Sequence, residues 1–203
     1  MSRQFREREL LFATHNRGKL DEMRALLAPH GITVRSSDEF SLSAPEETES
    51  SFVGNARIKA HAAARATGLV ALADDSGLCV DALGGAPGVY TADWAEGPEG
   101  RDFDRAMAKV HRALLDVGAG EPWGAAFHAV LVLAWPDGHD EVFEGQVCGS
   151  LVWPTRGRHG HGFDPMFCPE SAGKTFAEMT EDEKNAISHR ARALSSLVAS
   201  CFT

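Results

Sequence analysis

Glu9-Leu10-Leu11-Phe12-Ala13-Thr14 runs directly into His15-Asn16-Arg17-Gly18-Lys19, and this junction decides the class of fold. The first stretch is short and apolar, as a buried strand is. The second is polar and holds a glycine, and beyond it Leu20, Met23, Leu26 and Leu27 recur at helical spacing until Pro29 and Gly31 stop the pattern. Strand, polar turn, helix: the chain opens as an α/β protein.

The rest of the sequence extends that reading. Ser50 or Ser51 can cap a second helix, in which Phe52, Ala56, Ala60 and Ala63 share a face until Gly68. Leu69 to Ala73 reads as a buried strand running into Asp74-Asp75-Ser76-Gly77, with a short apolar piece from Leu78 to Ala82 and an irregular loop at Gly84-Gly85-Ala86-Pro87-Gly88. A helix is predicted over Arg101 to Val117. Strands Ala125 to Trp135 and Glu141 to Val147 are joined by the hairpin signal Pro136-Asp137-Gly138, so the sheet is expected to be mixed. A glycine-rich loop follows from Arg156 to Pro165. Thr180 and Glu183 have capping-box spacing, and Leu194, Leu197, Val198 and Cys201 give the closing helix its stripe. No composition shift marks a linker, so residues 1–203 are expected to form one domain, with residues 1–8 a disordered N-terminal extension.

Composition narrows the function. The 203 residues are 43% hydrophobic and carry 20 Lys+Arg against 29 Asp+Glu, a formal net charge of −9. An apolar share of this size belongs to a folded chain, not a disordered one. The acidic balance argues against a nucleic-acid polymer or a membrane surface as partner. The charged N-terminus does not read as a secretory signal, and Cys79, Cys148, Cys168 and Cys201 form no CxxC pair, so they read as reduced thiols of a cytoplasmic protein.

Four groups could carry chemistry. Thr14 through Lys19 lies between a strand end and a helix start, where backbone N–H groups and the helix dipole favour an anion; it is also what a plain polar turn looks like. Asp74-Asp75 follows an apolar strand, where ligands of α/β sheets bind, and paired carboxylates suit a divalent cation; a turn ending the strand is the alternative. In an extended chain only one of the two faces a given site. Glu46 and Glu47 precede the second helix and either complement its dipole or supply a second carboxylate. Lys184 and Ser188-His189-Arg190 are either a solvated basic face or a phosphate and base site.

Taken together and in order, these segments resemble the inosine triphosphate pyrophosphatase family, which clears non-standard purine nucleoside triphosphates. The matching motifs are Ala13-Thr14-His15-Asn16-Arg17-Gly18-Lys19, Glu46-Glu47-Thr48 with Phe52 and Asn55-Ala56, Ala73-Asp74-Asp75-Ser76-Gly77-Leu78, Leu83-Gly84-Gly85-Ala86-Pro87-Gly88-Val89-Tyr90, Gly162-Phe163-Asp164-Pro165, Gly173-Lys174-Thr175-Phe176 and Ser188-His189-Arg190. The resemblance implies a long mixed β-sheet flanked by helices, two lobes with a central cleft, and a homodimer. It implies hydrolysis of ITP, dITP and XTP to the monophosphate and pyrophosphate with Mg2+. By position it makes Asp75 the catalytic carboxylate and a metal ligand, with Glu47, near Glu46, as its partner. Thr14, His15, Asn16, Arg17, Gly18 and Lys19 then form the triphosphate loop. Ser76, His161, Gly162, Phe163, Asp164, Lys184, His189 and Arg190 become substrate-binding residues. One departure stands out: His161 occupies the place of an aromatic that stacks on the base in the family.

Overall fold

The computed structural model describes residues 2–170 and 172–202. Strands β1 (Glu9–Phe12), β2 (Thr33–Ser36), β3 (Ala71–Val80), β6 (Trp123–Ala134), β7 (Asp140–Leu151) and β8 (Phe167–Pro169) form one sheet in the order β2-β1-β3-β6-β7-β8. A separate ribbon pairs β4 (Glu96–Gly97) with β5 (Gly100–Arg101). β1 is parallel to both β2 and β3, whereas β7 and β8 are antiparallel, so the sheet is mixed as expected. The helices are α1 (Arg17–Leu27), α2 (Phe52–Thr67), α3 (Phe103–Asp116), α4 (Glu181–Ile187) and α5 (His189–Cys201). Among the described residues no helix is long and apolar enough to cross a membrane.

The chain divides into two compact units. The first comprises the chain up to Asp75, Ala129–Gly145 and the chain from Arg190 onward. Strand alternation gives it two cores: Leu10, Phe12, Leu72, Leu131 and Leu133 pack with Met23 and Leu27 of α1 and Leu194 and Leu197 of α5. Leu11, Ala71, Ala73, Val130 and Val132 point the other way and pack with Ala56, Ala60, Ala63 and Ala64 of α2. Covered on both faces, these strands read as continuous apolar runs. The second unit, Ser76–His128 with Gln146–His189, has its own core of Leu78, Met107, Val110, Leu114, Phe127, Phe163, Phe167 and Phe176.

The helix ends follow the sequence signals. Asn16, Ser51, Asp102 and Thr180 accept backbone N–H bonds at the starts of α1, α2, α3 and α4, and Gly68 ends α2 at φ 71. Three expectations change. Asp74-Asp75-Ser76-Gly77 is not a turn but the middle of β3, because the apolar run resumes at Leu78 and Val80 and keeps the chain extended. β2 and β8 are short and lacked a strand signal of their own. Residues 2–8 are docked instead of disordered, since Phe5 is an apolar side chain with somewhere to go: it is 9% exposed, its ring lies 5.0 Å from that of Phe202, and its N–H donates to the Cys201 carbonyl at 2.8 Å. Met1 lies outside the described residues. Phe5→Ala is expected to cost about 3 kcal/mol in a urea unfolding titration.

Candidate functional site

In the first unit the polar junction after β1 is built as a helix start. Asn16 accepts the Lys19 N–H at 3.1 Å, and Thr14 Oγ1 accepts the Asn16 N–H at 3.1 Å. His15 Nδ1 stands 3.2 Å from Asp38. Arg17, Gly18 and Lys19 are therefore the first three residues of α1, and His15, Asn16, Arg17 and Gly18 are exposed. That combines amide donors, a positive helix end and two cations at one spot.

Behind the junction lies a buried ionic network. Asp74 receives Lys19 Nζ at 2.9 Å and Arg190 Nε at 3.1 Å, and a second nitrogen of the same guanidinium, Nη1, bonds to Glu22. Arg190 is 2% exposed and the Asp74 side chain is fully buried. Burial alone would raise the Asp74 pKa strongly, but Arg190, Lys19 and Lys59 outweigh it and hold the carboxyl far below the usual carboxylate range. Lys19 feels the same burial in the opposite sense, and its pKa is lowered despite Asp74.

Extended backbone sends the neighbouring carboxylate the other way. Asp75 Oδ1 accepts from Lys59 Nζ at 3.2 Å, and the same ammonium lies 3.1 Å from Glu47. One cation thus brings Glu47 and Asp75 side by side. Asp75 Oδ2 is buried and has no hydrogen-bond partner, an arrangement that normally costs free energy. Burial, reinforced by Glu47 and Asp74, pushes Asp75 up to about 6 against the pull of Lys59 and Lys19. Burial acts against the Lys59 charge, yet Asp75, Glu47 and Asp74 raise its pKa overall.

The donor set fits the magnesium ion that the resemblance implies. The donors are hard carboxylate oxygens, and one is buried with an unmet lone pair. Among the described residues no group of three or more His, Cys, Asp or Glu converges on a point. Mg2+ does not require one, because it is usually held by one or two carboxylates and completes its shell with water and substrate phosphates.

The second unit gathers the remaining expected residues around one carboxylate. Asp164 Oδ2 accepts both Lys184 Nζ at 2.7 Å and the His161 backbone N–H at 2.8 Å. Gly160 makes room for it: at φ +74 any Cβ there would lie 2.1 Å from that oxygen. His161 is exposed, whereas Phe163 is buried with its ring edge-on to Phe103 at 5.8 Å. His189 stacks on Phe127 at 4.9 Å and 11°, and is buried too. Phe163 and Asp164, expected to touch substrate, are thus committed inside the protein and shape the loop that carries His161. Arg190 is likewise committed to Asp74 and Glu22 in the first unit. Ser76 and His189 adjoin the points where the chain passes between units, next to Asp75 and Arg190.

Sequence reasoning missed Lys59 and Glu22 and gave Asp74 no role of its own. A signal was present. Lys19 and Glu22 fall in register with Met23, Leu26 and Leu27 on α1, and Lys59 falls in register with Phe52, Ala56, Ala60 and Ala63 on α2. A charge inside an apolar stripe must find a partner when the stripe is buried.

The chain is similar to known proteins over nearly its whole length. The Ham1 family matches residues 10–200. The dITP/XTP pyrophosphatase of Ruegeria pomeroyi is 62% identical over 202 residues, covering 100% of this chain and 99% of the relative. That of Gluconobacter oxydans is 55% identical over 194 residues, covering 96% and 91%. Among solved structures, a HAM1 protein from Coxiella burnetii superposes with a TM-score of 0.87 at 39% identity, covering 95% of this chain and 98% of that one. The Staphylococcus aureus Ham1 protein gives 0.81 at 33%, covering 94% and 96%.

Proposed function

The chain belongs to the Ham1 family, and from that premise we propose that it hydrolyses dITP, ITP and XTP to the nucleoside monophosphate and pyrophosphate, clearing them from the nucleotide pool. The observation that carries the mechanism is the buried Asp75 carboxylate, with one oxygen on Lys59 and the other unmet. Water attacks the α-phosphorus and pyrophosphate leaves; Asp75 Oδ2 orients that water and takes its proton. Lys59 fixes the carboxylate through Oδ1, so the acceptor oxygen is aimed before substrate arrives. A carboxyl pushed up to about 6 is a better proton acceptor than an ordinary one and is still ionised near neutral pH.

Mg2+ bound by Glu47 and Asp75 would neutralise phosphate charge and help orient the attacked group. The Thr14–Lys19 junction binds phosphate oxygens through its amides and Lys19. Arg190 acts through Asp74: it keeps that carboxylate ionised beside Lys19 and so holds the ammonium at the junction. In the second unit Ser76 and the loop bearing the exposed His161 serve the base, while Lys184, held on Asp164, and His189, stacked on Phe127, act by shaping that unit's part of the site. The same reading makes the protein a cytoplasmic homodimer, which sedimentation velocity would show as a single species of twice the chain mass.

A panel of dITP, ITP, XTP, GTP, ATP and dTTP, assayed for pyrophosphate and monophosphate, tests the function. Equimolar products are expected from dITP, ITP and XTP, with ATP slower by about 10²-fold and all turnover lost in EDTA. A preference for the pyrimidine nucleotide would point to a Maf-like pyrophosphatase. Binding of ITP without product would make the protein a nucleotide sensor.

A further inference from the structure

We propose that Asp140, held by Arg57 and His61, is a positioning residue that fixes the roll of α2 and thereby sets the Lys59 ammonium between Glu47 and Asp75. Over its last three turns helix α2 packs through Ala56, Ala60, Ala63 and Ala64, all buried, while Phe52, Val53 and the buried Asn55 anchor its first turn. A face of methyl groups lets the helix approach closely, but it is smooth and has few ridges to resist rolling. The roll is then decided by contacts on its flanks.

At about 100° per residue, Arg57 and His61 share one flank of the alanine face and Lys59 takes the other. Both flanks end on carboxylates of the same unit. On the first, Asp140 at the start of β7 accepts Arg57 Nε and Nη2, each at 3.1 Å, and lies 2.8 Å from His61 Nε2. On the second, Lys59 meets Glu47 and Asp75. The side chains of Asp140 and His61 are only 16% and 18% exposed. The Arg57 side chain is itself half exposed, but a carboxylate this shielded, with three contacts, is held more firmly than a mobile surface pair.

The lever is short. With side chains reaching about 6 Å from the axis, a roll of about 10° moves the Lys59 end by roughly 1 Å. Displacements of that size near reacting groups cost up to about 10²-fold in rate. Neither Arg57, His61 nor Asp140 has to touch substrate to have this effect.

The inference rests on the proposed pyrophosphatase reading, and two measurements keep them separable. The first is a double-mutant cycle on dITP with the full chain: wild type, Asp140→Ala, Lys59→Met and the pair. Asp140→Ala is expected to lower kcat by about 10-fold with KM within about 2-fold, and to add less than about 2-fold in the Lys59→Met background. Asp140→Glu should recover most of the loss. The second needs no turnover: limiting acetic anhydride, with peptide mass spectrometry, should label Lys59 at least about 3-fold faster in Asp140→Ala than in wild type, relative to Lys109. Asp140→Asn, which keeps the shape, replaces the alanine variant in both measurements should the latter fail to fold. A full additional 10-fold loss on top of Lys59→Met, or unchanged Lys59 labelling, would overturn the proposal. A wild-type protein inactive on every nucleotide would refute the pyrophosphatase reading, and the labelling would still decide what Asp140 does.

Discussion

Asp75→Asn is expected to lower dITP turnover by about 10²-fold or more at saturating magnesium while the protein stays folded. The substitution keeps the shape of the side chain, and its amide can still meet Lys59 or Glu47, which flank the position now. It cannot take a proton at neutral pH. The acceptor in the wild type is a buried oxygen with no hydrogen-bond partner, and the neighbouring carboxylate, Glu47, is held on Lys59. The pH dependence gives an independent check. The ionised carboxylate is the competent form, so wild-type kcat/KM should climb as pH rises through about 6 and level off above it. A bound divalent cation favours the ionised form, so the limb should move to lower pH as magnesium is raised. The limb should vanish in the asparagine variant. Turnover by Asp75→Asn within a few-fold of wild type would remove the carboxylate from the mechanism.

The second large effect is on stability. Arg190→Met should destabilise the fold by about 3–5 kcal/mol, because it leaves two buried carboxylates, Asp74 and Glu22, without their shared cation. The sign of its pH dependence can be worked out. In the wild type Asp74 has a folded pKa below its unfolded value of about 3.9. It therefore contributes stability that is fully present above about pH 4 and is lost as acid protonates it in the folded state. Without Arg190 the folded pKa rises and that contribution shrinks. The gap between wild type and variant should accordingly be widest near pH 7 and narrow below about pH 4, as read from urea unfolding at the two values. An equal gap at both would mean that Arg190 stabilises through packing of its stem instead of through charge.

These two predictions concern residues that were legible to different degrees. Asp75 could be singled out from its place after an apolar strand and from the family resemblance, and the strand-turn-helix opening was enough to set the fold class. From the sequence Arg190 reads as a donor to substrate. Its position, in register with Leu194, Leu197, Val198 and Cys201 on α5, already indicated a buried face. Lys59 passed unnoticed among alanines for the opposite reason: nothing in α2 names a partner, since Glu47 and Asp75 come from other elements.

Alternation and helical periodicity are local properties, so the sequence by itself determined the mixed α/β sheet, most of its strands and helices, and the caps at two helix starts, those of α2 and α4. That Asp74 and Asp75 face opposite ways followed only once the structure showed both inside β3, since an extended backbone sends adjacent side chains to opposite faces. Which cation each would meet was decided only by tertiary structure. Charge pairing across Asp74–Arg190, 116 residues apart, or Arg57–Asp140, 83 apart, depends on where the sheet order and the alanine face of α2 bring the elements. Buried ions tolerate no other arrangement: each must find its partner wherever the fold has put it, and that address is not written in the residues on either side.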